Sequence, residues 1–417
     1  MRDPSDGRGS VATGETGFMK RCVLLLLLFT LGVPGWCSRK VTVAQLQSLL
    51  QSLLAEKKPD GEIAAALHQL ELSEQLTRSV MIGLTKHAPG PLTTEQIYVL
   101  EARSANLAPP ASDLPDTPAP EAAAQKAILM RAETYVAKTY EQLPALVAKK
   151  TTLRFQDKTE ALASSSGIAS GAKDAVTASG AANVAAFIHY INAANESVVF
   201  EHGIAKRPVK KDMTRWGANG LIVVPKPEPS LPRVFKEALT SESVRWTRWE
   251  LINGKSAAVF AFQVPREQSK LDVEVCCFPD IKQTGIARFY TPMTGPMLGG
   301  ERGSGGGVAG NFQTNTDWND FKSTVPYHGR FYIDPDTGVV LRMIIEAELK
   351  PSDVVHQMDT RIDYAPVPGA HGTFIVPVRS VISSVVVPNG ESGAGGYSTR
   401  TTLFSSEYTD YHPARPN

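Results

Sequence analysis

Along the chain the spacing of apolar positions changes from a helical period to strict alternation. Between residues 41 and 108, Leu46, Leu49, Leu50, Leu53 and Leu54 recur at intervals of three and four, which puts them on one face of an amphipathic helix. Pro59-Asp60-Gly61 ends that run. A second helix is predicted from about Glu62 through Leu67, Leu70, Leu76 and Ile82, as far as Pro89-Gly90-Pro91. A third opens at Thr93-Thr94-Glu95-Gln96, where Thr93 and Gln96 have the spacing of a capping box, and runs to about Asn106. Residues 109–120 are rich in Pro, Ala and Asp and read as a semi-rigid linker. One more helix is expected over residues 121–143, with Ile128, Tyr135, Val136 and Tyr140 on one face and Pro144 as its stop.

Beyond Pro144 the period is two. A first strand is expected from Val147 to Gln156, then an exposed, flexible Ser/Ala/Gly-rich insertion over residues 161–185. Strands 244–251 and 256–264 flank Asn253-Gly254, a strong hairpin signal. Leu271, Val273, Val275 and Cys277 alternate with Asp272, Glu274 and Cys276. Strands 330–333 and 339–349 flank the turn Asp334-Pro335-Asp336-Thr337-Gly338. In the second of these, Val339, Leu341, Met343, Ile345, Ala347 and Leu349 are expected to face the core, and Arg342, Glu346, Glu348 and Lys350 the water. Further strands are expected at 361–364, 373–387 and 397–407, with a glycine-rich flexible loop near 294–320. Successive strands with one wet face imply an antiparallel sheet packed on one side. The fold class is therefore α+β, a helical N-terminal region followed by a β-rich domain over residues 121–410.

One stretch belongs to neither pattern. Lys20 and Arg21 precede a twelve-residue apolar run, Cys22 to Val33, closed by Pro34-Gly35-Trp36-Cys37-Ser38. This is the outline of a secretory signal peptide, and it falls short of the roughly 20 apolar residues that span a membrane. Met19 offers an alternative start, and Trp36 before Cys37 argues against a lipid-modified cysteine. Processing is expected between Val33 and Lys40, which makes the mature chain an exported one, periplasmic or extracellular, without a transmembrane segment. Residues 1–38 take four of the 43 basic and three of the 42 acidic residues, leaving 39 of each sign. A neutral mature chain without a polybasic run is no partner for nucleic acid.

Chemical motifs add little. Gly305-x-Gly307-x-x-Gly310 has the letters of a dinucleotide fingerprint, but no apolar helix follows it to hold a pyrophosphate. Ser170-Gly-Ala-Lys173 matches Ser-x-x-Lys without its companion motifs. The eight histidines, His68, His87, His189, His202, His328, His356, His371 and His412, form no metal-binding pair by spacing, and Asp334 and Asp336 read as turn residues rather than calcium ligands. Neither a catalytic residue nor a metal or other cofactor is therefore expected. Cys276 and Cys277 are adjacent: the leading readings are one buried and one surface thiol, or a vicinal disulfide, and a redox pair is the third, against which stand the missing Cys-x-x-Cys spacing and the lack of a helix N-terminus. Trp246, Trp249, Phe260 and Phe262 crowd one hairpin, as core or as the lining of a cavity for an apolar ligand. One of each pair should point inward, and Phe260, Phe262 and Val264 should share a face.

Several stretches together carry a resemblance. They are Thr151-Thr152-Leu153-Arg154-Phe155, Arg245-Trp246-Thr247-Arg248-Trp249-Glu250, Val259-Phe260-Ala261-Phe262-Gln263-Val264-Pro265, the run from His328 to Gly338, and Arg361-Ile362-Asp363-Tyr364. Over roughly residues 120–390 the chain resembles a group of uncharacterised exported proteins from soil acidobacteria, which supplies no activity and no catalytic residues to transfer. The succession of strand, Asp-containing turn and strand also resembles the curved half-barrel of periplasmic lipoprotein carriers. That second resemblance implies a curved antiparallel sheet, half-barrel-like, with a concave apolar binding face. The function expected from all this is non-enzymatic: binding of an apolar or envelope-derived ligand in the concavity, with Trp246, Trp249, Phe260 and Phe262 as its lining. The alternative is a structural or interaction protein of the cell envelope that uses the leucine-striped helices as its contact. A hydrolase with an unrecognised site is the third.

Overall fold

The computed structural model describes residues 39–157, 188–206, 224–225, 228–279, 318–369, 372–386 and 400–414. The expected signal segment, the insertion at 161–185, most of the loop near 294–320, and the Ser170-x-x-Lys173 and Gly305-to-Gly310 motifs lie outside the described residues.

Four helices make up the N-terminal part: α1 (Val43–Ala55), α2 (Asp60–His68), α3 (Arg78–Lys86) and α4 (Pro91–Ser104). The leucine stripe of α1 turns inward, with Leu46 and Leu50 buried against Ile63 and Leu67 of α2 and Leu49, Leu53 and Leu54 partly buried on the same cluster. Thr42 and Gln45 close a reciprocal capping box at the start of α1.

Two expectations are corrected in this region. The second helix does not run through to Ile82. It stops at His68, and Leu70–Leu72 forms a short strand, β2, paired with β1 (Arg39–Val41). Leu70 and Leu72 then bury together by strand alternation, a geometry that a spacing of two allows and a helix does not. The third helix is not capped by Thr93 and Gln96 either. It begins at Pro91, whose missing N–H costs nothing at the first helical position, and a remote carboxylate caps it. Asp60 Oδ2 accepts the Leu92 N–H at 3.0 Å and Oδ1 the Thr93 N–H at 2.9 Å. Gly90 leaves room for this cap, because a Cβ there would lie 2.4 Å from Asp60 Oδ2 and push the carboxylate aside.

After a single 3₁₀ turn (Ala111–Asp113) comes α5 (Ala122–Gln142), followed by β3 (Leu146–Asp157), β4 (Ile188–Glu201), β5 (Ile204–Lys206) and β6 (Val224–Pro225). Helix α6 (Leu231–Thr240) precedes β7 (Arg245–Ile252), β8 (Lys255–Val264), β9 (Asp272–Pro279) and β10 (Trp318–Thr324). The last strands are β11 (Tyr327–Ile333), β12 (Val340–Ala347), β13 (Val355–Gly369), β14 (Gly372–Val386) and β15 (Arg400–Pro413). Ten of them form one antiparallel sheet in the order β5-β4-β3-β15-β14-β13-β12-β11-β8-β7, open at both edges. The protein is thus α+β, with a large curved sheet that does not close. A smaller sheet runs β10-β9-β6.

Turn chemistry sets the register. Asn253 and Gly254 both take positive φ, 51° and 78°, as a two-residue hairpin requires. Asp334 Oδ1 accepts the N–H groups of Asp336 and Thr337, and Gly338 has φ 75°. Substituting that glycine would be doubly costly, because its missing Cβ would also lie 2.5 Å from the backbone of Arg131 in α5.

The inner face of the sheet carries α5, α6 and the smaller sheet over the main core, which includes Phe260, Phe262, Phe331, Met343, Ile345, Ile362 and Phe404. The outer face is wet only in part, as at Gln263 and His328, whereas the sequence pattern suggests a wholly wet one. Helix α4 covers part of it, packing Val99 and Ala102 on Phe155, Ile188 and Leu403. Arg342, expected in water, is buried there. Leu341 also departs: a bulge between Tyr332 and Ile333 in the β11–β12 pairing reverses the phase, so Val340 joins the inner core and Leu341 packs on the outer cluster with Ile344. Met343 and Ile345 face the inner core, and Glu346 is half-buried on the outer side.

Candidate functional site

Strand alternation brings Ile345 and Ala347 of β12, Met358 and Thr360 of β13 and Ile382 of β14 to one region of the sheet. Opposite them stand Leu271, just before β9, and Val273 within it, with Pro229 just before α6 and Arg233 in its first turn. Between these surfaces lies a cleft of about 50 Å³ with Asp272 and Glu274 on its border. Its floor is aliphatic, and its charged groups come only from the α6 and β9 side.

A second, smaller cleft of about 20 Å³ shares Pro229 with the first and is bordered by Phe200, Tyr364, Ser380, Tyr408 and Glu228. Glu228 stands between two prolines, and a residue that precedes proline is held extended. Ser230, in extended conformation, then leads the chain into α6, with Pro232 in the first turn. The Glu228 side chain is 9% exposed, and Oε1 receives three donors. Ser380 Oγ donates at 2.5 Å, the Tyr408 hydroxyl at 2.8 Å and Lys150 Nζ at 3.4 Å. Burial alone would raise the Glu228 carboxyl, but the Lys150 charge and the two hydroxyls outweigh it and hold it at about 2. The Tyr408 hydroxyl is pushed well above its ordinary value by burial and by the Glu228 charge it donates to.

The aromatic residues singled out by sequence sit elsewhere on the inner face. Phe260 and Phe262 are buried in the core with Val264 on the same face. Phe262 stacks on Phe331 at 4.3 Å and meets Tyr327 edge-on at 6.0 Å. Trp246 and Trp249 are both half-buried against the inner core, where alternation would send only one of them. A bulge between Trp246 and Arg248 explains this, setting Trp246 opposite Phe260 and Trp249 opposite Ala258. The two indoles meet edge-on at 4.9 Å, and Trp249 Nε1 donates to the Pro118 carbonyl at 3.0 Å. None of these four lines either cleft.

The backbone of Cys276 pairs with Asp320 on one side and Val224 on the other. Asn319 pairs with Phe278 and Asp320 with Cys276, so Cys277 falls at a bulge, where simple alternation of faces is interrupted. The side chains of both cysteines lie outside the described residues.

Alternation in the sequence puts Val273 and Ile345 on a buried face, but nothing in it marks them as lining a cleft. Arg233 and Glu228 carried no signal, since a single charge in a short helix or a Pro-rich segment reads as solvated. Among the described residues, no three His, Cys, Asp or Glu side chains stand close enough to hold a metal ion. Nor is any helix among them long and apolar enough to cross a membrane. No protein-family model matches the chain, and comparison with curated proteins and with solved structures yields no match.

Proposed function

We propose that the protein is an exported, non-enzymatic binding protein, and that it takes the apolar part of an envelope-derived ligand into the cleft between the inner face of the large sheet and α6 with β9. The observation that carries this is the cleft itself: an aliphatic floor of Ile345, Met358 and Ile382 beneath a wall whose edge bears Arg233, Asp272 and Glu274. A few polar groups at the border of an apolar recess are the usual composition of a small-molecule site. At about 50 Å³ the recess is far smaller than the roughly 300–1,000 Å³ of such sites, so ligand entry requires α6 or β9 to move outward. The aromatic hairpin then acts as the rigid end of the sheet rather than as the lining. The leucine stripe of α1 does not favour the alternative of an envelope contact, because Leu46 and Leu50 are consumed by internal packing.

The test uses delipidated full-length protein and the neutral apolar fluorophore N-phenyl-1-naphthylamine. A saturable fluorescence rise, reversed by a long-chain acyl compound, is expected in the wild type. Met358→Trp, which fills the recess without adding charge, should weaken probe binding at least about tenfold, whereas Trp246→Phe should leave it unchanged. Absence of saturable binding by the wild type would sink the reading.

A further inference from the structure

The two ends of α6 are held differently. Towards its C-terminal end, Glu237 Oε2 accepts the Tyr327 hydroxyl at 2.8 Å and the Lys270 N–H at 3.2 Å. Phe235 packs on Phe331 at 4.8 Å, and Ala238 is fully buried. At the N-terminal end the apolar anchors are the aliphatic Leu231 and Val234, and the polar anchor is Glu228, whose three donors come from three adjacent strands, β3, β15 and β14.

We propose that Glu228 is the latch of a lid: its carboxylate fastens the N-terminal end of α6 to the floor of the sheet, and release of that end admits ligand to the cleft. The proposal rests on the ligand-binding reading above and adds the device that controls access. Three observations support it. Pro229, the next residue, borders both clefts, so the chain segment held by Glu228 is itself a wall. Arg233, one turn further on, borders the larger cleft, so lifting this end opens it. Lastly, what the lid loses on opening is unequal. Leu231, Val234, Ile345 and Met358 lose apolar contacts that the methylene groups of a ligand can replace. The contacts of Glu228 with Lys150, Ser380 and Tyr408 cannot be replaced by an apolar chain, and an ionised carboxylate stripped of its partners inside the protein is costly. Glu228 therefore sets the barrier to opening. Because the same partners keep the carboxyl ionised far below neutral pH, mild acid does not release it.

The test is hydrogen–deuterium exchange and stopped-flow probe uptake on the full chain, in Glu228→Gln and, as a milder change that keeps the charge, Tyr408→Phe. Amides of residues 231–240 should exchange at least about tenfold faster than in the wild type, the order of effect of losing one hydrogen bond to a charged group. Amides of residues 327–347 should be unaltered, and N-phenyl-1-naphthylamine should associate faster by a similar factor. If residues 231–240 exchange at the wild-type rate, or quicken only together with 327–347, the latch is overturned. Wild-type uptake of the probe alongside unaltered exchange in both variants would leave the binding reading intact while refuting the latch. Loosened α6 with no probe uptake by any of the proteins would refute the binding reading and with it the role of Glu228 in ligand access, leaving Glu228 as a local anchor of α6 alone.

Discussion

Arg342 occupies a position that alternation along β12 assigns to solvent, and it is 8% exposed. Its Nε donates to Asp363 Oδ1 at 2.6 Å, and its guanidinium stands 3.7 Å from Glu250, which Arg248 also meets at 2.7 Å. Arg361 adds a second pair of contacts to Asp363 and reaches the Ala105 carbonyl at 2.7 Å. Burial opposes the charge on Asp363, but the two guanidiniums prevail and hold its carboxyl well below the carboxylate range. A polar residue in a period-two pattern signals a second face, not a wet one. Where charges pair, that face can be buried, and no sequence period distinguishes the two cases. Asp359, two residues before Arg361, behaves in the opposite sense. Burial, together with Glu346 directly opposite on β12, raises its carboxyl to about 6 despite the hydrogen bond from Gln357. A carboxyl with a raised folded value favours the folded state only while protonated. Its contribution is complete below about pH 4 and is lost as pH rises through about 6. Asp359→Asn should therefore stabilise the protein by about 1–3 kcal/mol at pH 8 and by almost nothing at pH 3.5, in urea unfolding at the two pH values. Equal effects at both would mean that the charge of Asp359 is not the cause.

At the scale of elements, many of the strands are legible in the sequence, whereas β4, β5, β6, β10 and helix α6 are not, nor are several joins between elements. Alternation, the Asn253-Gly254 signal and the Asp334-to-Gly338 turn locate β7, β8, β11 and β12 to within a few residues, since turn residues and side-chain period are local properties. Bulges are not local in that sense. The ones that place Trp249 on the inner face and Leu341 on the outer face follow from how two strands settle against each other, and neither strand's own sequence marks them. Helix ends show the same contrast. The box at Thr42 and Gln45 has all its parts within four residues, whereas the cap of α4 comes from Asp60, thirty-odd positions upstream. That remote cap is testable. Asp60→Ala removes the acceptor for two first-turn amides and should cost about 1–2 kcal/mol, at the upper end of N-cap effects because Thr93 is buried. Urea unfolding gives the cost, and amide exchange at Leu92 and Thr93 should quicken with it. Thr94→Ala, which removes only a hydroxyl bonded back to the Gly90 carbonyl, should cost less. An Asp60→Ala variant as stable as the wild type would return the cap to residues of α4 itself.

For the whole molecule, the sequence suggests two parts joined by a linker, and the described residues bind those parts together. Residues from Lys40 to Asn417 form one compact unit. The joint is on the outer face of the sheet, where α4 supplies Val99 and Ala102 to a cluster completed by Phe155, Ile188 and Leu403. It also supplies Glu101, which pairs with the buried Arg379 of β14, and Glu95, whose carboxylate accepts the Tyr190 N–H at 2.9 Å. Arg78 of α3 reaches Glu407 at 2.5 Å, and the Pro118 carbonyl receives Trp249, so even the linker is fastened to the hairpin. Neither leucine spacing nor a Pro/Ala-rich stretch could reveal this, because the joint combines polar contacts, which carry no periodic signal, with apolar residues of the sheet's second face, whose partner α4 is remote in sequence. Helices and sheet should therefore unfold as one. A single calorimetric transition is expected, with van't Hoff and calorimetric enthalpies in agreement. Glu101→Ala takes from the buried Arg379 its hydrogen-bonded carboxylate, leaving the charges of Asp363 and Glu407 to compensate it only in part, and should cost about 3–5 kcal/mol, lowering that transition as a whole rather than splitting it. Replacing both residues with apolar ones, Glu101→Leu with Arg379→Met, should recover most of the loss, since the penalty comes from the orphaned charge and not from absence of the pair. Two separate transitions in the wild type, or a Glu101→Ala variant whose sheet melts unchanged while α1 to α4 melt early, would show that the helical part stands as an independent domain.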